Sequence, residues 1–241
     1  MNTPDGRPMA TLDPPASRAL LQDAVVVGLT ALIPVPLVDD LAGSAMRRRL
    51  LRAVLAAEGA SLEEPALEAL ANAPGRGCLL GCPLAVVAYP LKRLFRKVFF
   101  FLEIKRSIDL ASTSWHFGWL VQGLLRDGYG VPNDPVAAAA LRTAITATLA
   151  EVGVKPVERA FRGVLRGSSG ILRAAGARLG RTVLRTDRSP QHVEAAVVSL
   201  EAEEQATLGR LADQLLRAID ALPSEHFDRL RGVLRQRITA A

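Results

Sequence analysis

Cysteine is almost absent from this chain: Cys78 and Cys82 are the two in 241 residues. That excludes a disulfide framework, and without a second pair it excludes a four-thiolate zinc site. Spaced four apart, they also miss the spacing of a thioredoxin-type pair, and they read as small buried hydrophobes in a reducing compartment. Aromatic residues make up 5% and runs of β-branched residues are scarce, which argues against a β-sandwich or barrel. There is no HExxH, no nucleophile elbow, no phosphate-cradling glycine loop and no dinucleotide fingerprint, so neither a metal nor a cofactor is expected.

Long apolar runs are missing as well. None reaches the ~18 uninterrupted residues of a spanning helix. The two longest candidates, 24–38 and 79–91, are short and broken by proline. Residues 1–15 are polar and carry Asp5, Asp13 and five helix breakers (Pro4, Gly6, Pro8, Pro14, Pro15). They do not read as a secretory leader, and 1–13 is expected to be a disordered tail.

What the chain has in quantity is alanine, leucine and arginine, all strong helix formers. Hydrophobic residues are 49% and charged residues 22%, too apolar for disorder. The expectation is an all-α protein: an irregular bundle of seven or eight helices around one long central helix, closed by a C-terminal αα-hairpin. Two regions, 14–127 and 134–241, are separated by DGYGVPNDP (127–135), and they read equally as parts of one continuous domain.

Asp13 ahead of Pro14 and Pro15 starts a first helix that runs to about Ile33. Its last part, AVVVGLTALI, is apolar on every face and must be buried in protein or lipid. Pro34 and Pro36 then forbid a continuous helix. Asp39 and Asp40 can cap the next one, over 38–58, where Leu37, Leu41, Ala45, Leu50 or Leu51, Val54 and Leu55 trace an apolar stripe beside a collar of Arg47, Arg48, Arg49 and Arg52. Gly59 ends it, and Ser61 with Glu64 reads as a capping box for a short helix over 62–72.

The organising segment is 79–108. From Pro90 the pattern is helical to about Arg126, with Leu91, Leu94, Val98, Phe101, Ile108 and Trp115 recurring at three, four or seven; a helix of about 36 residues would be roughly 54 Å long. Asp134–Pro135 starts a helix that carries Val136, Leu141, Ile145, Leu149 and Val152 on one face. Residues 156–185 form a basic amphipathic stretch, with Arg159, Arg162, Arg166, Arg173 and Arg185 on one side and Phe161, Val164, Leu165, Leu172, Leu179 and Val183 on the other. Ser189–Pro190 opens an acidic arm to about 222, and Pro223–Ser224 turns the chain into a last helix with Phe227, Leu230, Leu234 and Ile238.

The net charge is +6 and the pI about 10.0, with only four lysines among the 30 basic residues. Such arginine content reflects either the base composition of the coding sequence, carboxylate pairing inside the fold, or attraction to phosphate. Nucleic acid is disfavoured, because the basic residues lie inside apolar periodicity with little aromatic interleaving. An anionic membrane surface fits better. Lys92, Arg93, Arg96 and Lys97 precede Phe99, Phe100 and Phe101, and Arg162, Arg166 and Arg173 lie on a second amphipathic segment, so apolar faces can enter the acyl boundary while cations meet headgroups.

The stretch IPVPLVDD (33–40), the helix that closes at AAEG, and VGVKPVERAF (152–161) resemble corresponding turns of EcsC-like proteins and of helical domains that accompany some bacterial GTPases. The resemblance implies an all-α, membrane-associated bacterial protein without established catalysis, and it carries no catalytic residue over. The leading expectation is a non-enzymatic accessory or scaffold protein, peripheral on the cytoplasmic face of the plasma membrane. The second is a protein-interaction module that uses 190–238 to bind a partner helix. The third is a hydrolase or metal enzyme built from Asp39, Asp40, Glu103 and His116, which requires those groups to converge.

Overall fold

The computed structural model describes residues 14–33, 38–72, 96–184 and 190–240. Among them there are nine helices and no strand: α1 (Pro14–Thr30), α2 (Val38–Ala57), α3 (Glu64–Ala71), α4 (Arg96–Arg126), α5 (Pro135–Val152), α6 (Lys155–Gly167), α7 (Ser169–Leu184), α8 (Pro190–Asp220) and α9 (Ser224–Thr239). The protein is an all-α bundle. The expected tail over 1–13, the turn residues Pro34 and Pro36, both cysteines and the run 79–91 lie outside the described residues.

The described residues alone exceed the expected seven or eight helices, in part because the basic stretch 156–185 is two helices, broken at Ser168. Gly167 and Gly170 flank two serines there, and this is the poorest helix-forming sequence in the segment. The central helix is described from Arg96, and its 31 residues span roughly 46 Å.

Most element ends follow local chemistry. Asp134 caps α5 by accepting the Ala137 N–H at 2.7 Å, with Pro135 in the first turn. After α2 and α4 the chain reverses through Gly59 (φ 69°) and Gly128 (φ 82°). The Ala60 and Tyr129 N–H groups then return to the Leu55 and Leu124 carbonyls, closure that needs a left-handed residue. The capping box at Ser61 does not form. The N-cap of α3 is Glu63, which makes no side-chain cap; its N–H donates to Asn133 Oδ1 at 2.7 Å, and Glu64 turns instead to Arg48 and Arg52. Asp39 and Asp40 fall inside the first turn of α2 rather than before it, where a carboxylate still favours the helix dipole.

One continuous set of buried side chains draws on all nine helices. The all-apolar end of α1 is enclosed by protein: Ala24, Val25, Val26, Val27 and Leu29 are buried, and α1 is surrounded by α2, α4, α7 and α8. Two glycines permit this approach. A Cβ on Gly28 would lie 2.7 Å from the Ser107 carbonyl oxygen of α4, and one on Gly176 of α7 would lie 2.7 Å from Leu32 Cβ. Two expected core positions face out instead, Leu41 at 49% and Val136 at 77% exposure; Ala42, Met46 and Ala138 take the inward places.

The C-terminal pair α8 and α9 is joined by the expected short turn at 221–223. The last helix makes its principal contacts with α5 and α4, setting Phe227 against Trp115 and Trp119. No single described helix is long and apolar enough to cross a membrane. By composition α5 and α6 would pass together, but they are bent by 85°, and Ile145, Leu149, Val157 and Phe161 point into the core.

Candidate functional site

The sequence-selected cations are placed unevenly. Lys92 and Arg93 lie outside the described residues, and Arg96 and Lys97 occupy the first turn of α4 with side chains outside them. Arg162 pairs with Glu158 one turn earlier on α6, so it is partly neutralised in the fold. Arg166 on α6 and Arg173 on α7 are exposed.

Two of the four groups of the enzyme reading, Glu103 and His116, are held apart. Glu103 and His116 share α4 thirteen positions apart, roughly 20 Å along its axis. His116 is fully buried, with Nδ1 2.7 Å from the Ser112 carbonyl oxygen. The side chains of Asp39 and Asp40 lie outside the described residues. Among the described residues no three His, Cys, Asp or Glu side chains are arranged to hold a metal ion.

The arginine collar of α2 is an internal device. Arg48 reaches Glu64 and Glu68, Arg52 reaches Glu64, and Arg49 lies 3.8 Å from Asp23. Arg47 donates from Nε and a terminal nitrogen to Asn72 Oδ1, at 3.1 and 2.8 Å. Elsewhere, Arg18 meets Asp213, Arg126 meets Glu58, Arg178 meets Glu204, Arg235 meets Asp127 and Arg237 meets Glu151. Much of the arginine therefore stitches helices together, and the pair between Arg178 and Glu204 joins the basic α7 to the acidic α8 as their compositions suggest.

One place departs from this pattern. A groove of about 500 Å³ opens between α2, the end of α3, α4 and α5. Its apolar surface includes Leu50, Leu51, Leu110 and Phe117, and Arg47, Lys105, Arg106 and Arg142 supply cations, with Asp109 as the carboxylate on its wall. Burial raises the Asp109 pKa above the usual carboxylate value, and Glu158 pushes it the same way; Lys105 and Arg162 pull it back. Arg142 Nε is buried without a hydrogen-bond partner among the described residues. A volume in the ~300–1,000 Å³ range, an apolar lining and a few convergent charges are the attributes of a small-molecule site.

Sequence reasoning missed this groove. Lys105 and Asp109 share a face of α4 by their spacing of four, but nothing local couples them to Arg142, which faces them from α5. Comparison with protein-family models, with curated proteins and with solved structures yields no match for this chain.

Proposed function

We propose that this protein is a non-catalytic accessory protein that works at an anionic membrane surface. The observation that carries the reading is the distribution of cations along the central helix. Many arginines elsewhere are paired with carboxylates, and α4 begins with Arg96 and Lys97, directly after Lys92 and Arg93 in sequence, and continues to Lys105 and Arg106 at the groove. Clustered cations contribute about 1 kcal/mol each at an acidic lipid surface, and the three phenylalanines that follow Lys97 supply apolar surface beside them. The likeness of 33–40 and 152–161 to EcsC-like proteins points the same way.

The test is flotation with vesicles of phosphatidylcholine alone and of phosphatidylcholine with phosphatidylserine. The protein is expected to float with the acidic vesicles at low salt, to be released at high salt, and to lose flotation when Lys92, Arg93, Arg96 and Lys97 are all changed to glutamate. Failure to float with acidic vesicles at low salt, or flotation indifferent to both salt and substitution, rejects the reading.

A further inference from the structure

We propose that the groove between α2, α4 and α5 binds a single-chain amphiphile with an anionic head, its chain lying on Leu50, Leu51, Leu110 and Phe117 and its head held by Lys105 and Arg142. The inference rests on the membrane-surface reading for its ligand class and adds a discrete site to it.

Three observations carry it. The lining is of mixed character, with aliphatic and aromatic side chains and several cations together, which suits a molecule with one oily end and one charged end. Among the described residues, two of the cations there, Lys105 and Arg142, are not tied to a carboxylate in an ion pair as several other arginines are. The side chains of Lys105 and Arg142 make no ion pair or hydrogen bond with other described residues, whereas Arg18, Arg126, Arg178, Arg235 and Arg237 are each matched by a carboxylate. Finally, Arg142 Nε is a buried donor with no acceptor among the described residues. An orphaned charged donor is costly, and an anionic oxygen seated beside it removes that cost through a charge-assisted bond. Asp109 is the opposing charge on the wall; burial and Glu158 disfavour its ionised form, while Lys105 and Arg162 favour it.

The size of the groove limits the ligand. At about 500 Å³ it suits one acyl chain with a small head better than a two-chain phospholipid, and its apolar base has no use for a nucleotide or a phosphopeptide. A free fatty acid and a lysophosphatidic acid share the required chemistry, a monoacyl chain ending in an oxyanion.

The experiment uses the delipidated full-length protein without vesicles, at ligand concentrations below micelle formation. Palmitate, 1-palmitoyl lysophosphatidic acid and hexadecanol are titrated against a bound environment-sensitive fluorescent fatty acid. Both anions are expected to displace the probe, and the uncharged alcohol to do so at least about tenfold more weakly, the ratio that a charged hydrogen bond supports. Preference for the carboxylate or for the phosphate identifies the natural head. Arg142→Gln and Lys105→Gln are each expected to weaken anion binding by about tenfold, with circular dichroism confirming the helical fold of each variant. No displacement, or equal displacement by acid and alcohol in the unmodified protein, overturns the proposal without recourse to any variant. Flotation without amphiphile binding removes the groove site and leaves the membrane reading standing; amphiphile binding without flotation does the reverse.

Discussion

His116 Nδ1 and the Ser112 carbonyl oxygen, one turn apart on α4, lie 2.7 Å from each other inside the core. A carbonyl only accepts, so the imidazole proton sits on Nδ1. Nε2 is left as a buried acceptor with no partner. A titratable neighbour is His226 of α9, with ring centroids 6.1 Å apart.

That arrangement sets an acid limit on stability. Burial lowers the His116 pKa from 6.5 to about 4, the Ser112 contact opposes the shift, and His226 adds to it. The unfolded chain therefore takes up a proton near pH 6.5 while the folded chain resists until about pH 4. Stability from this residue is complete above about pH 6.5 and falls through that window, by about 3 kcal/mol in all. Burial lowers His226 in the same direction, whereas the raised carboxyls of Asp109 and Asp220 work in the opposite sense at the acid end. Urea melts between pH 7.5 and 4.5 are expected to show this slope, and His116→Phe to flatten it. An unchanged slope in that variant means that another group titrates.

Two glycine-to-alanine changes are expected to have opposite signs. At Gly28 the new methyl would meet backbone, the Ser107 carbonyl oxygen at 2.7 Å, and Ala111 Cβ at 2.8 Å, so α1 and α4 must separate at a cost of about 1–3 kcal/mol. At Gly163, within α6, nothing lies within 4 Å, and alanine gains about 0.5–1 kcal/mol through helix propensity alone. Denaturant midpoints measured side by side check both; a Gly28→Ala protein as stable as the parent would show that the α1–α4 contact is looser than described.

Neighbouring positions on α6 give a second contrast. Phe161 is 0% exposed, and Phe161→Ala is expected to cost about 3–5 kcal/mol through lost transfer energy and the cavity left behind. The adjacent Arg162 is partly exposed and pairs with Glu158 along the helix, so Arg162→Ala is expected to change stability by about 0.5 kcal/mol or less. Thermal unfolding of the two variants reads the difference directly.

The legibility of this fold follows the range of the forces involved. Features set within a few residues could be read: Asp134 capping α5, Gly59 ending α2, Pro190 opening α8, and Phe161, Leu165, Leu172 and Leu179 facing inward. Features that require knowing which helices meet could not. Leu41 and Val136 belong to apolar periodicities yet face solvent, because Ala42 and Ala138 fit the narrow helix contacts better. Arg47, Arg48, Arg49 and Arg52 could be read as a collar but not as a set of contacts, because α3 and Asp23 come beside it only in the fold. The groove is the extreme case: its parts lie on α2, α4 and α5, and only the crossing of those helices gives Lys105 and Arg142 a common space.

The contact between α2 and α4 at Glu58 permits a final prediction. Glu58 Oε1 accepts from Gln122 Nε2 at 2.6 Å and from Arg126 Nε at 2.8 Å, and its side chain is only 15% exposed. Gln122 is almost wholly buried, and its own Oε1 has no partner. Glu58→Ala would strand the remaining polar end of that amide, at a cost of about 1–3 kcal/mol. Gln122→Leu removes the group that is stranded, so adding it to Glu58→Ala is expected to recover much of the loss. A double-mutant cycle measures this coupling, with a favourable interaction energy of about 0.5–3 kcal/mol expected for groups in contact. Strict additivity of the two changes would show that the cost of Glu58→Ala does not arise at Gln122.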